Sequence, residues 1–360
     1  MENHSEWPDP DDRGMGRMET PMRRAWVLVV SLMVVVGLAL SAGLCLAGQA
    51  DTKAPAGKSY KFRFGTIQPA DAPVGRGAAK FAELVGVKTG GRVTVEVYPA
   101  SQLGNEKDLI DAVEMGTLEF ALGGVAEWAK RYKPVIIFEG PFVYRDRDHF
   151  LKAYSSPVGQ EVFEGLVKKT GARSLALMYY GTRHVTTGKT PAKTPKEMSG
   201  LKLRCPDQPL YLQVTRAMGA RPTPMAFSEV YLALQQGVVD GQENPAATIA
   251  TMKFYEVQKY LIKTGHIISG VYIWTNEKFF TGLPADLQKA IKEAATEAAA
   301  WANAGSFKLE DEFLKRLTEE YKMTAVEPDR QAFIEAAQPL LAEYETQWGT
   351  GLLEKVRAVK

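Results

Sequence analysis

The chain has 360 residues, and its 44 lysine and arginine side chains nearly balance its 42 aspartate and glutamate side chains. With a formal net charge of only +2 and no basic run interleaved with aromatic residues, the composition argues against nucleic-acid binding. Cys45 and Cys205 are the only cysteines, which excludes a disulfide-rich scaffold.

The N-terminal region has the features of an export signal. Residues 22–50 contain two arginines, a long apolar run and small residues suited to cleavage after Ala47 or Ala50. We predict a signal peptide over residues 1–50 and a linker over 51–58, and therefore a periplasmic protein. The apolar run is also long enough to span a bilayer, so an uncleaved anchor is the alternative. The long polar stretch before Met22 leaves open a start at Met15, Met18 or Met22.

Removal of the signal leaves 310 residues, enough for two lobes with cores of their own. This part has 40 basic and 36 acidic residues, and Cys205 is its only cysteine. No intramolecular disulfide can form, and a lone thiol in an oxidising compartment is best protected when it is buried. We therefore expect Cys205 to lie on a buried strand.

The first half alternates strand and helix signals. Residues 60–67 and 92–99 alternate apolar and polar side chains as half-buried strands do, and residues 75–91 between them have helical periodicity that ends in paired glycines. A second helix is predicted over 105–116, followed by the strand LEFALGG. This order predicts a mainly parallel sheet covered by helices.

A second set of strands and helices begins near residue 173. Strands are predicted in RSLALMYY, LKLRCP, PTPMAF and VVDGQEN, with the helices PLYLQVTRAMG and SEVYLALQQG between them. Two α/β units imply two lobes with a cleft, and ligands bind beyond the carboxyl ends of such strands. Gln68, Phe227 and Asn244 fall at or after strand ends, and Arg183 is placed in a loop after LALMYY.

A long helical stretch runs from Pro284 to about Tyr321, interrupted only by Gly305. Either two helices meet there or one helix bends. We favour a single bent helix, because glycine followed by serine is a common kink site.

Arg183 and Arg204 stand 21 residues apart at strand-like positions, and Asn244 follows 40 residues later. A guanidinium group is always charged and presents a planar fork of donors that suits a carboxylate. The amide of Asn244 adds a donor and an acceptor. This chemistry holds an organic anion without transforming it.

The chain resembles substrate-binding proteins of the tripartite ATP-independent periplasmic (TRAP) transporters, of the DctP type. The resemblance covers Tyr60 to the C-terminus and is carried by residues 90–122, by GLKLRCP (200–206) and above all by EVYLALQQGVVDGQENP (229–245). It implies an α/β two-lobe periplasmic binding protein with a ligand cleft between the lobes and a long helix spanning both. We expect residues 59–181 plus 272–305 to form lobe I, and residues 182–271 plus 306–360 to form lobe II.

The resemblance also implies roles for particular residues. Arg204, in GLKLRCP, would make the main salt bridge to the ligand carboxylate, and Arg183 and Asn244 match two further family positions. Glu243 would either face the cleft or pair with an arginine and hold it in position. The complete set of predicted ligand-binding residues is Arg204, Arg183, Asn244, Phe227, Gln68, Asp207, Trp128, Trp274 and Glu243. Some members carry a glutamate near the third strand where this chain has Gly124, which argues against sialic-acid specificity.

No catalytic or metal site is predicted. The four histidines are scattered, and there is no GxSxG elbow, P-loop or GxGxxG motif. We therefore expect no cofactor, no metal and no enzymatic activity. The leading interpretation is a monomeric receptor that delivers a small organic acid to the small and large TRAP membrane subunits; the alternative is a sensor subunit that presents its ligand to a signalling receptor.

Overall fold

The computed structural model describes residues 58–360. The predicted signal peptide, and the linker up to residue 57, lie outside the described residues. Among the helices of the described part, none combines the length and the apolar character needed to cross a bilayer.

Strands occur throughout the described part. They are β1 (Tyr60–Thr66), β2 (Val93–Tyr98), β3 (Phe120–Gly123), β4 (Ala172–Thr187), β5 (Lys202–Cys205), β6 (Arg221–Pro224), β7 (Gly241–Pro245), β8 (Tyr260–Asn276) and β9 (Thr324–Val326).

Helices separate most of the strands. They are α1 (Pro73–Lys88), α2 (Glu106–Glu114), α3 (Ala126–Ala129), α4 (Arg147–Ser155), α5 (Pro157–Thr170), α6 (Pro209–Ala217), α7 (Val230–Gln235), α8 (Ala246–Thr251), α9 (Glu277–Thr281), α10 (Ala285–Lys315), α11 (Arg330–Trp348) and α12 (Leu352–Arg357). Short 3-10 turns cover Lys133–Glu139, Phe227–Glu229 and Phe254–Glu256, and a π turn covers Arg316–Glu320.

Within residues 58–360, nine strands form one mixed sheet in the order β2-β1-β3-β8-β4-β7-β5-β6, and β9 pairs with β8. Strand β1 pairs in parallel with β2 and β3, and β5 pairs in parallel with β6 and β7. These two parallel groups correspond to the two α/β units expected from the sequence. The long strands β4 and β8 run antiparallel to each other and connect the groups.

Strand β4 continues past the point where the sequence suggested a loop. It has a register irregularity between Tyr179 and Gly181, where Gly181 takes a φ of +130°, and it then pairs with β7 through Thr187. Arg183 therefore lies inside β4, not in a loop after it. The sequence predicted a loop here because a glycine at a β-bulge cannot be distinguished, from sequence alone, from a glycine at a turn.

The long helix α10 packs on both halves of the sheet. Its first part places Leu287, Ile291 and a series of alanines against the core of the β1–β3 group, and its last part places Phe313 in a cluster with Val230 and Ile249. Gly305 is buried within the helix. The preference for one helix over two is thus confirmed.

Candidate ligand-binding site

A cavity of about 230 Å³ lies between the two parallel groups. One wall comes from the β1–β3 group and includes Gln68, Glu106 and Glu127, and the other comes from the β5–β7 group and includes Arg204 and Asn244. Because both walls use residues near the carboxyl ends of parallel strands, the cavity occupies the position expected for a ligand in such a sheet.

Arg204 is a buried cation with unused hydrogen-bonding capacity. Its side chain is 2% exposed, and Nη2 donates to the carbonyl oxygen of Met225 at 2.8 Å. Nε has no partner, and no carboxylate of the described chain lies within ion-pair distance. Burial lowers the pKa of Arg204 to about 10, and the nearby Arg183 cation acts in the same direction. Among residues 58–360, Arg204 therefore has no ion-pair partner.

Arg183 is in the opposite situation. Its Nε donates to Glu243 Oε2 at 2.5 Å and its Nη2 donates to Glu243 Oε1 at 2.7 Å, with both side chains buried. Burial alone would lower the pKa of Arg183, but the ion pair outweighs burial and raises it. Burial alone would raise the pKa of Glu243, yet Arg183 and His266 hold it at about 2.

Glu243 thus takes the second of its two expected roles: it pairs with an arginine. His266 supports it, with Nε2 3.1 Å from Glu243 Oε2 and Nδ1 2.7 Å from Thr264 Oγ1. Arg183 lines the cavity, whereas Glu243 stands behind it. The carboxylate fixes the orientation of a guanidinium that faces the ligand space.

Asn244 lines the cavity and belongs to a buried polar network. Its Nδ2 donates to Gln242 Oε1 at 2.6 Å, and its Oδ1 accepts from Arg183 Nη2 at 3.3 Å. Tyr180, which also lines the cavity, accepts hydrogen bonds from Gln68 Nε2 at 3.2 Å and from Thr248 Oγ1 at 2.9 Å. Asn244 and Gln68 are therefore held in place before any ligand arrives.

Phe227 and Asp207 also line the cavity. The Phe227 ring centroid lies 6.0 Å from the Arg204 guanidinium carbon, so an apolar face adjoins the cation. Asp207 is exposed, and its carbonyl oxygen accepts from Lys130 Nζ at 3.4 Å.

The structure does not support the prediction that two tryptophans contact the ligand. Trp128 and Trp274 are fully buried, their ring centroids are 5.3 Å apart, and neither lines the cavity. Trp274 also donates from Nε1 to the carbonyl oxygen of Gly123 at 2.9 Å. They belong to the core because a large aromatic side chain buries more apolar area there than at a polar cavity.

The polar cavity residues that sequence analysis missed include three glutamates and a glutamine: Glu106, Glu127, Glu139 and Gln208. Glu106 opens α2, next to a capping box formed by Asn105 and Asp108, so it resembled an ordinary acid of a first helical turn. Gln208 immediately follows Asp207, the residue that sequence analysis had selected. No local pattern distinguished these side chains from surface residues.

Comparison with known proteins identifies the family of this chain. Residues 64–347 match the family described as bacterial extracellular solute-binding protein, family 7 (DctP). The chain belongs to this family.

Two curated relatives and one solved structure illustrate its range. The sialic acid-binding periplasmic protein SiaP of Vibrio cholerae is 34% identical over 78% of this chain and 87% of the relative. The C4-dicarboxylate-binding periplasmic protein DctP of Rhodobacter capsulatus is 33% identical over 82% of this chain and 90% of the relative. A TRAP periplasmic solute-binding protein from Polaromonas sp. JS666, bound to D-erythronate, superposes with a TM-score of 0.80 at 30% identity, covering 84% of this chain and 99% of the other.

These comparisons confirm the fold class and the functional class. This DctP-family protein has the two-lobe α/β architecture of TRAP periplasmic solute-binding proteins, with α10 spanning both lobes. It is a receptor for a small organic acid and not an enzyme, since the family consists of solute-binding proteins.

Proposed function

We propose that this receptor binds the carboxylate of its ligand through Arg204 and delivers the acid to a TRAP permease made of a small and a large membrane subunit. The observation that carries the proposal is the buried, unpaired guanidinium of Arg204. Burying a charge without a partner is costly, and a ligand carboxylate with a bidentate hydrogen bond would offset that cost.

The surrounding residues support this assignment. Glu243 neutralises Arg183, so Arg183 offers the ligand oriented N–H donors but little net charge. Asn244 offers an amide beside it, and Phe227 offers an apolar face for the carbon skeleton of the ligand. Gln68 and Asp207 stand where they could bind hydroxyl groups of the ligand.

We further propose the division of the chain into lobe I (59–181 plus 272–305) and lobe II (182–271 plus 306–360). Two of the proposed boundaries, 181/182 and 271/272, fall within β4 and β8. These strands connect the two parallel groups, which supports the division. The N-terminal signal would send the protein to the periplasm, where it would act as a monomer.

A thermal-shift screen of organic acids on the wild-type protein should identify the ligand, because saturation at a hundred times Kd adds ~2.7 kcal/mol of stability. Arg204→Ala should then weaken binding more than ten-fold, by ~2–5 kcal/mol. Arg204→Lys should restore only part of the affinity, because it lacks the planar fork.

The matched control is Arg221→Ala, which removes an exposed arginine from the neighbouring strand β6. We expect it to bind the acid as the wild type does. Unchanged affinity in Arg204→Ala would show that the carboxylate is held elsewhere. Delivery is tested by uptake into vesicles that contain both membrane subunits, where transport should require this receptor.

A further inference from the structure

The cavity wall contributed by the β1–β3 group presents hydrogen-bond acceptors. Gln208, which is 5% exposed, extends from the start of α6 across to this wall. Its Nε2 donates to Glu127 Oε1 at 3.0 Å and lies 3.4 Å from Glu106 Oε2. Because two carboxylates fix the amide nitrogen, the orientation of the amide is set, and its buried Oε1 has no partner in residues 58–360. An unsatisfied buried acceptor at a cavity calls for a donor on the ligand.

Glu106 and Glu139 add two carboxyl groups to this wall. Glu106 Oε1 accepts from the backbone nitrogen of Gly124 at 2.7 Å, and Glu139 Oε1 accepts from that of Val125 at 3.3 Å. A Cβ atom on Gly124 would lie 2.5 Å from Glu139 Oε1, so the glycine makes room for this carboxyl group. Within the described chain, neither glutamate has a basic side chain at ion-pair distance.

The basic side chains on this wall are already engaged. Lys107 pairs with Asp111, and Lys130 pairs with Glu127 at 2.8 Å. A second carboxylate on the ligand would therefore bring only acceptors to Gln208 Oε1, which needs a donor, and no unpaired basic side chain among those of this wall would balance its charge. Arg204, in contrast, belongs to the opposite wall.

From this asymmetry we propose that the ligand is a hydroxylated monocarboxylate, with its carboxylate at Arg204 and its hydroxyl groups at Gln208, Glu106 and Glu139, and that the site discriminates against C4-dicarboxylates. The inference rests on the proposed function, since it places the carboxylate at Arg204. Hydroxyl groups suit this wall better than an ammonium group does. They can both donate to Gln208 Oε1 and accept from Lys130 or Lys107, whereas an ammonium group only donates.

Acids of matched chain length test the inference. Calorimetric titration of the wild-type protein with D-erythronate, succinate, butyrate and 4-aminobutyrate varies only the groups along a four-carbon chain; galactonate extends the hydroxylated class to six carbons. We expect one or both hydroxy acids to bind at least ten-fold more tightly than the other three. Tightest binding of succinate or 4-aminobutyrate would overturn the inference, as would binding of butyrate equal to that of the hydroxy acids.

Gln208→Ala separates recognition of hydroxyl groups from a general loss of contact between the two cavity walls. Losing the contact with Glu127 would weaken all acids alike, whereas losing the Oε1 acceptor weakens the hydroxy acid only. We expect the affinity ratio of hydroxy acid to butyrate to fall at least five-fold in Gln208→Ala and to stay unchanged in Gln236→Ala, an exposed glutamine at the end of α7. An unchanged ratio in Gln208→Ala would refute the role of Gln208.

Arg204→Ala distinguishes failure of this inference from failure of the proposed function. If Arg204→Ala weakens every acid but the wild type prefers succinate, only the hydroxyl assignment is wrong. If Arg204→Ala leaves the affinity for every acid unchanged, the proposed function is wrong as well. If none of these acids binds, this inference is overturned, and the thermal-shift screen of other organic acids then tests the proposed function by itself.

Discussion

Two buried arginines at one cavity have different roles because only one of them has a carboxylate partner. Glu243 neutralises Arg183, and this pair is part of the folded structure before any ligand binds. Arg204 donates to one carbonyl oxygen and retains an unsatisfied Nε. Arg183 therefore contributes mainly to preorganisation, and Arg204 mainly to binding.

The first prediction concerns the pair behind the cavity. Glu243→Gln should lower the free energy of unfolding by ~3–5 kcal/mol, because it leaves the buried Arg183 charge without its partner. Urea denaturation of the ligand-free protein measures this loss. The control is Glu96→Gln, which breaks the exposed pair with Lys61 and should change stability little. A loss as small as that of the control would show that the Arg183 charge has another source of compensation.

The second prediction concerns Glu139. Burial and the nearby Glu106 raise the pKa of Glu139 from 4.5 to about 8. The folded protein therefore holds this proton more tightly than the unfolded chain does. The resulting stabilisation is complete below pH 4.5 and is lost as pH rises towards about 8.

Glu139→Gln should remove this contribution. Compared with wild type, the ligand-free variant should lose less stability between pH 5 and 8, as measured by its melting temperature across that range. The conservative amide keeps the shape of the side chain, so packing is preserved. Identical pH profiles for the two proteins would contradict a raised pKa at this position.

At the scale of secondary structure, α10 is attached to the irregular region of β4 by side chains. Asn303 Oδ1 accepts from the backbone nitrogen of Tyr179 at 2.6 Å, and Asn303 Nδ2 donates to the carbonyl oxygen of Leu177 at 3.3 Å. Glu310 Oε1 accepts from the backbone nitrogen of Thr182 at 2.8 Å. In the described chain β7 pairs with β4 only from Arg183 to Thr187, so α10 binds backbone groups of the preceding part of β4 on the side away from β8.

The third prediction tests this attachment. Asn303→Ala should leave two backbone groups of β4 unsatisfied and destabilise the protein by ~1–3 kcal/mol. Chemical denaturation of the ligand-free protein provides the measurement. Lys289→Ala, on an exposed position of the same helix, should have little effect and serves as the control. If both variants are equally stable, solvent replaces the asparagine and the attachment does not contribute.

At the scale of the whole molecule, side chains bridge the two walls of the cavity. Gln208 bonds to Glu127, and Lys130 Nζ lies 3.4 Å from the carbonyl oxygen of Asp207. Such contacts are formed when the walls are close and are broken when they separate. A ligand bound by both walls would add its own contacts to these bridges.

The fourth prediction follows from this arrangement. A ligand favours the closed form only by its higher affinity for that form, and closure in such proteins is a hinge-type movement. We expect the ligand-free protein in solution to be mainly open, and small-angle scattering to show a smaller radius of gyration at saturation. Equal radii with and without a tightly bound acid would exclude closure as part of binding.

Local patterns in the sequence were sufficient to predict most of the elements around the site. Period-two alternation identified β1 and β2, helical periodicity with paired glycines identified α1, and the composition of residues 284–321 favoured the one long helix that is α10. The motif GLKLRCP singled out Arg204. These features could be read from the sequence because they depend on residues only a few positions apart.

Long-range packing decided the rest. Only the folded chain pairs Arg183 with Glu243, 60 residues later, and only β-sheet register places Arg183 inside β4 instead of in a loop. Trp128 and Trp274 proved to be core residues, and Glu106, Glu139 and Gln208 proved to face the cavity. The sequence by itself determined the family and the order of strands and helices in residues 60–123 and 202–245, because periodicity and motifs are local. The tertiary structure alone decided which charges are paired and which acceptors remain free, because both depend on residues brought together from distant parts of the chain.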